Sequence, residues 1–180
     1  MSKNENLLYR TLLALVIVAI ASALRIAPHP WNFTPVGAMA LFSGAVIKNR
    51  CLALTAPLVA LFAGDIFIGF HKLMLVVYAS FLVSVAIGFW LRDRRTVTRI
   101  TLATVLGAVQ FFIVADLGVW ALMPTYPHTW QGLLASYVAA LPFLLNMLAG
   151  DAVYAILFFG AFAMAERLFP VLREPSFERY

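Results

Sequence analysis

Apolar residues do not alternate with polar ones along this chain. They run together in long blocks, separated by short polar stretches that hold most of the prolines and charges. A helix needs roughly 20 apolar residues to cross ~30 Å of hydrocarbon. That ruler predicts spans at residues 7–25, 33–47, 52–70, 73–91, 100–123 and 142–167. The second is short for a full crossing, so the loop before it, 27–32, is expected to dip toward the membrane. The last apolar stretch, 133–168, is too long for one span and contains Pro142. Proline costs little in the first turn of a helix. The span is therefore placed at 142–167, with 130–141 as an interfacial or tilted lead-in; the alternative is one long kinked helix.

Composition agrees with that pattern. Of 180 residues, 63% are hydrophobic and 12% are charged, about half the charged share of a soluble domain. The expected fold is all-α: one domain, an integral membrane bundle of six transmembrane helices. Charge then orients it. With the N-terminus cytoplasmic, 11 of the 13 Lys and Arg residues fall on the inside, and only Arg25 and Lys72 fall outside. The positive-inside rule favours this arrangement, with both termini cytoplasmic. It also explains the net charge of +5 without a nucleic-acid partner, because the basic residues flank spans and form no stripe. A basic start, an apolar run and Ala19-Ile20-Ala21 or Ala21-Ser22-Ala23 also resemble a signal peptide; the expectation is that the segment stays as the first span.

Eight residues are acidic, and three of them, Asp65, Asp116 and Asp151, fall inside expected spans. Glu5, Asp93, Glu166, Glu174 and Glu178 fall in cytoplasmic segments. A carboxylate within the bilayer is costly and marks a functional-site hypothesis. At ~1.5 Å per residue, the three lie roughly 9 to 13 Å below the outer boundary, in one layer. Each has a structural explanation too, as a bond to a neighbouring helix or a cap at Gly64-Asp65 or Gly150-Asp151. Together they are read as one polar cavity open to the outside.

Two outer loops lie at the same level. One contains Arg25, His29, Trp31 and Asn32; the other contains Tyr126, His128 and Trp130. Their aromatics either anchor the interface or form a lid. Trp120, one turn from Asp116, and Asn146 and Tyr154 on the last span are placed on the cavity wall. No two histidines have the i, i+4 spacing of a helical metal pair, so no metal site is expected. The single cysteine, Cys51, excludes an intrachain disulfide and falls at the cytoplasmic end. Ala19 with Ala23, and Ala40 with Gly44, form small-xxx-small faces that let helices approach closely, within the chain or toward another subunit.

Signatures of catalysis are absent. There is no G-x-x-x-x-G-K-[ST] loop, no G-x-S-x-G and no H-E-x-x-H, so the chain is not read as an enzyme and no cofactor is expected. Against this background, the stretch from Arg25 through Asn32-Phe33-Thr34-Pro35-Val36-Gly37-Ala38-Met39-Ala40-Leu41-Phe42 resembles a bacterial six-helix family of transport type, as do Ala139-Ala140-Leu141-Pro142-Phe143 and Gly150-Asp151. That family is in turn similar to the substrate-binding (S) components of energy-coupling factor (ECF) transporters. The resemblance implies a multi-pass protein of the bacterial inner membrane that takes up a vitamin such as cobalamin, or a related micronutrient. It also implies a coupling subunit docked on Ala19 and Ala23, with the ATPases in separate chains. Cys51 lies on the wrong side to ligate a cobalt.

The function expected is thus substrate binding for transport. Arg25, His29, Trp31, Asn32, Asp65, Asp116, Trp120, Asn146 and Asp151 would line the cavity, with Tyr126 and His128 closing it. The alternative is a non-catalytic structural or assembly subunit of a larger membrane complex.

Overall fold

The computed structural model describes residues 3–173, so Glu174, Glu178 and Arg179 lie outside the described residues. Six α-helices follow one another: α1 Lys3–Ile26, α2 Val36–Val46, α3 Arg50–Ile68, α4 Met74–Trp90, α5 Val97–Leu122 and α6 Trp130–Leu168. A 3₁₀ turn, Pro170–Leu172, ends the described chain. No strand occurs among the described residues. Helices α1, α3, α5 and α6 are each long and apolar enough to cross a membrane. Every backbone polar group in hydrocarbon must be satisfied internally, which is why the apolar blocks fold as helices.

Helix α4, at 17 residues, falls just short of that length, and α2 is far shorter. Its 11 residues span about 16 Å, half the hydrocarbon thickness, and the chain enters it through an irregular segment, as the short apolar block suggested. Ten of those residues are buried, so α2 forms the centre of the bundle and the other helices wrap it. Its Phe42 is fully buried and meets Phe158, Phe159 and Phe162 of α6 at ring-centroid distances of 6.2, 5.3 and 5.6 Å. Against α4 the approach is backbone to backbone. A Cβ on Gly44 would run into the Val85 carbonyl, and one on Gly88 into the Leu41 carbonyl.

Residues 130–168 form one continuous helix of 39 residues with Pro142 inside it. The span expected at 142–167 behind a separate lead-in is therefore corrected to the long-helix alternative. The helix starts at Thr129, whose hydroxyl accepts from the Gly132 N–H at 3.2 Å, an N-cap that precedes Pro142 by more than three turns. The first part is held to α5 by Tyr137, which donates to the Ile113 carbonyl at 2.8 Å. Membrane helices tolerate an internal proline where neighbours satisfy the freed backbone groups. At about 58 Å, α6 exceeds the bilayer core and extends beyond it or tilts.

The charged ends segregate as the positive-inside pattern requires. At one end Arg10 donates to Glu166 and to the Leu172 carbonyl, and Arg95 lies 3.4 Å from Glu166. Arg92 joins them there by donating to the carbonyls of Gly44, Ile47 and Lys48 at 2.9, 2.7 and 3.2 Å. The opposite end carries the loops 27–35 and 123–129.

Candidate functional site

The three intramembrane aspartates do not share one cavity. Asp65, on α3, is 1% exposed. It accepts from Arg25 Nη2 at 2.6 Å and from the Tyr78 hydroxyl at 2.6 Å. Arg25 also donates to the Leu61 carbonyl at 2.9 Å. Gly64 makes this possible, since a Cβ there would stand 2.9 Å from Arg25 Nη1. The result is a closed network that links α1, α3 and α4, with both oxygens of Asp65 occupied.

Asp151, 2% exposed, faces the first turn of α2 and accepts from the Ala38 N–H at 3.1 Å. The first N–H groups of a helix lack intrahelical partners, and Pro35 at the N-cap position supplies no side-chain acceptor. Asp151 takes that role from another helix. A carboxylate there also complements the positive end of the helix dipole. Gly37 is required beside it, because any Cβ would overlap the carboxylate.

Asp116 is different. It is half-buried on α5, and its carboxylate makes no hydrogen bond or ion pair among the described residues. It lines a cavity of about 360 Å³ between α5, α6 and the two loops. Phe111, Phe112, Phe143 and Met147 form apolar walls, and Trp31, Asn32 and Tyr126 come from the loops. The wall is therefore mostly apolar, with one carboxylate and a few polar groups, the usual make-up of a small-molecule site.

Four of the expected ligand-binding residues, Trp31, Asn32, Asp116 and Tyr126, meet in this cavity. The others lie elsewhere. Asn32 also has a conformational reason to be asparagine: its φ is 59°, in a turn closed by Phe33 N–H to the Pro30 carbonyl at 3.0 Å, and asparagine tolerates that region. Asn146 reaches the loop from α6, donating to the Trp31 carbonyl at 3.0 Å. Trp120 donates to the Pro127 carbonyl at 2.9 Å and packs edge-on to His128, ring centroids 5.6 Å apart. These two residues brace the second loop and do not line the cavity. His29 sits at the surface with its ring nitrogens 3.0 and 3.1 Å from the carbonyls of Pro30 and Arg25. Ala19 and Ala23 are exposed on the outer face of α1, whereas Ala40 and Gly44 are buried inside the bundle. Cys51 is exposed at the start of α3. No group of three or more His, Cys, Asp or Glu lies together among the described residues.

Several polar residues escaped the sequence reading. Tyr78 completes the Arg25–Asp65 network. Gln110 of α5 donates to the Ser80 carbonyl and the Ser84 hydroxyl of α4, both at 3.0 Å. Ser136 of α6 lies on the cavity wall beside Asp116. Each is a neutral polar group in an apolar block, which the search for charges passed over.

Fold and polar placement together define an α-helical membrane bundle with an aromatic-walled cavity at the end opposite the basic cluster. The chain belongs to the family described as Family of unknown function (DUF6580), whose model matches residues 5–172. No curated protein and no solved structure matches it.

Proposed function

We propose that this protein is a membrane carrier that captures a small micronutrient in the cavity beside Asp116, with no catalytic step. The observation behind the proposal is the contrast among three aspartates. Two are consumed by the fold, while the Asp116 carboxylate has no partner among the described residues and faces an open volume. An unpaired carboxylate in an apolar setting is costly, and a ligand carrying a cation or a hydrogen-bond donor would relieve that cost. Trp31, Tyr126 and the phenylalanines add faces suited to a cation or a flat apolar body.

Size narrows the ligand. At about 30 Å³ per water-sized unit, the 360 Å³ cavity holds roughly a dozen non-hydrogen atoms. That suits a small amine-bearing vitamin or related compound, and it disfavours cobalamin, whose corrin ring alone is larger. Loops 27–35 and 123–129 would act as the gate, since Trp31 and Tyr126 come from them. The reading agrees with the resemblance to ECF S components: the basic end would face the cytoplasm of a bacterial inner membrane, Ala19 and Ala23 would offer a face to a coupling subunit, and ATPases would be separate chains.

The test is native mass spectrometry of the detergent-purified protein, with identification of any released small molecule, repeated on Asp116→Asn. The proposal expects one small amine-bearing molecule per chain, and its loss in the variant at unchanged thermal stability. Equal retention by Asp116→Asn would remove the site assignment. An empty protein that purifies only with other membrane subunits would replace the carrier by an assembly subunit.

A further inference from the structure

A second and larger cavity lies elsewhere, and the function proposed above does not use it. It is a groove of about 940 Å³ between α5 and α6, at the basic end. Its walls are apolar, including Ile100, Val105, Leu148, Ile156 and Phe159. Ile156 and Val105 are open to the surroundings of the bundle, at 74% and 42% exposure. Three arginines, Arg92, Arg95 and Arg167, stand at its mouth with Asp93 and Glu166. Glu166 pairs with Arg10 and stands 3.4 Å from Arg95; with three arginines against two carboxylates, one of them shared with Arg10, the mouth still presents net positive charge to whatever enters.

Length and volume match one kind of occupant. From Leu148 to Ala163 the groove follows α6 for about 22 Å, against ~15 Å for half the hydrocarbon core. At about 30 Å³ per unit, as above, 940 Å³ holds roughly thirty non-hydrogen atoms, the size of one acyl chain with its glycerophosphate. A helix from another subunit would need a broader face and would gain nothing from arginines clustered at one end. An acyl chain on the walls and a phosphate at the mouth use every part of the groove. Basic pockets between transmembrane helices on the cytoplasmic side are suited to anionic headgroups, and guanidinium forks match phosphate oxygens.

We infer that the α5–α6 groove is a binding site for a single anionic glycerophospholipid, held by its phosphate at Arg95 and Arg167 and by one acyl chain along α6. The lipid would fill the space that α5 and α6 leave between them at this end and fix their separation.

Gly160 gives a clean test. It lines the groove, and a Cβ added to it meets nothing within 4 Å. Gly160→Trp therefore introduces an indole into the groove from a position where its Cβ has open space. The experiment is native mass spectrometry of the full chain released from nanodiscs containing equal phosphatidylglycerol and phosphatidylcholine. Wild type is expected to retain one phosphatidylglycerol and to lose it in Gly160→Trp. Removing arginines should weaken retention by about fivefold each, read in Arg167→Gln and in the Arg95→Gln/Arg167→Gln pair. Arg167 is exposed, so its variant folds even if the pair does not. Asp116→Asn should leave lipid retention unchanged, which separates this site from the carrier cavity. Equal retention of the two lipids, undiminished retention in Gly160→Trp, or a protein subunit in place of lipid would each overturn the assignment.

Discussion

Asp151 and Arg92 grip opposite ends of the same short helix. Asp151 accepts from the Ala38 N–H at the start of α2, and Arg92 donates to the carbonyls of Gly44, Ile47 and Lys48 at its end. Anion at the N-terminus and cation at the C-terminus both complement the helix dipole. An 11-residue helix is marginal by itself, so α2 depends on these two residues and on its buried faces. Asp151→Ala and Arg92→Ala should each lower stability by ~1–3 kcal/mol, the cost of leaving buried backbone groups unpaired. Thermal unfolding in detergent would show both as clear losses of melting temperature; no change in either would remove the capping role.

The α2–α4 crossing tolerates no side chain at its closest point. Gly44→Ala and Gly88→Ala each place a Cβ against a carbonyl of the facing helix, where neither backbone can move aside cheaply. Destabilisation of ~1–3 kcal/mol is expected from overpacking. Gly160→Ala, in open space, should be neutral or slightly stabilising through helix propensity. The same melting series compares all three.

Within the Arg25–Asp65–Tyr78 network, the partners are unequal. Removing the carboxylate with Asp65→Ala strands a largely buried guanidinium, 14% exposed, at a cost of ~3–5 kcal/mol. Tyr78→Phe removes one charge-assisted hydrogen bond and should cost ~1.5–3 kcal/mol. A cycle combining Arg25→Met with Asp65→Leu should recover much of the single-variant loss, because both charges then leave together. Additive losses would contradict a coupled network.

Asp116 should behave in the opposite sense. Asp116→Asn and Asp116→Leu remove a carboxylate that the fold leaves unpaired, so melting temperature should hold or rise, as is common when a residue serves function rather than stability. Ligand retention should fall in both. A large loss of stability instead would make Asp116 a third structural aspartate and leave the cavity without its defining group.

How far the sequence reaches is visible in particular residues. Apolar block length and the 11-to-2 split of basic residues were enough to predict a six-helix membrane bundle, because hydrocarbon admits only helices here and its thickness sets their length. The helix limits in the structure fall within a few residues of the expected ones for α1 to α5. Pro142 misled because proline reads as a start signal, while the weaker N-cap at Thr129 and the Tyr137 bond to α5 decide where α6 begins. Asp65, Asp116 and Asp151 were correctly found as residues in need of explanation. Depth along a helix, however, says nothing about rotation around it or about which neighbour faces it. Only packing showed that Asp65 meets Arg25 and Tyr78, that Asp151 meets the start of α2, and that the Asp116 carboxylate meets no partner among the described residues. The sequence by itself determined the environment and the cost of each buried charge; the tertiary structure decided how each cost is met, since hydrogen bonds between distant segments depend on distances of a few ångströms that spacing along the chain does not encode.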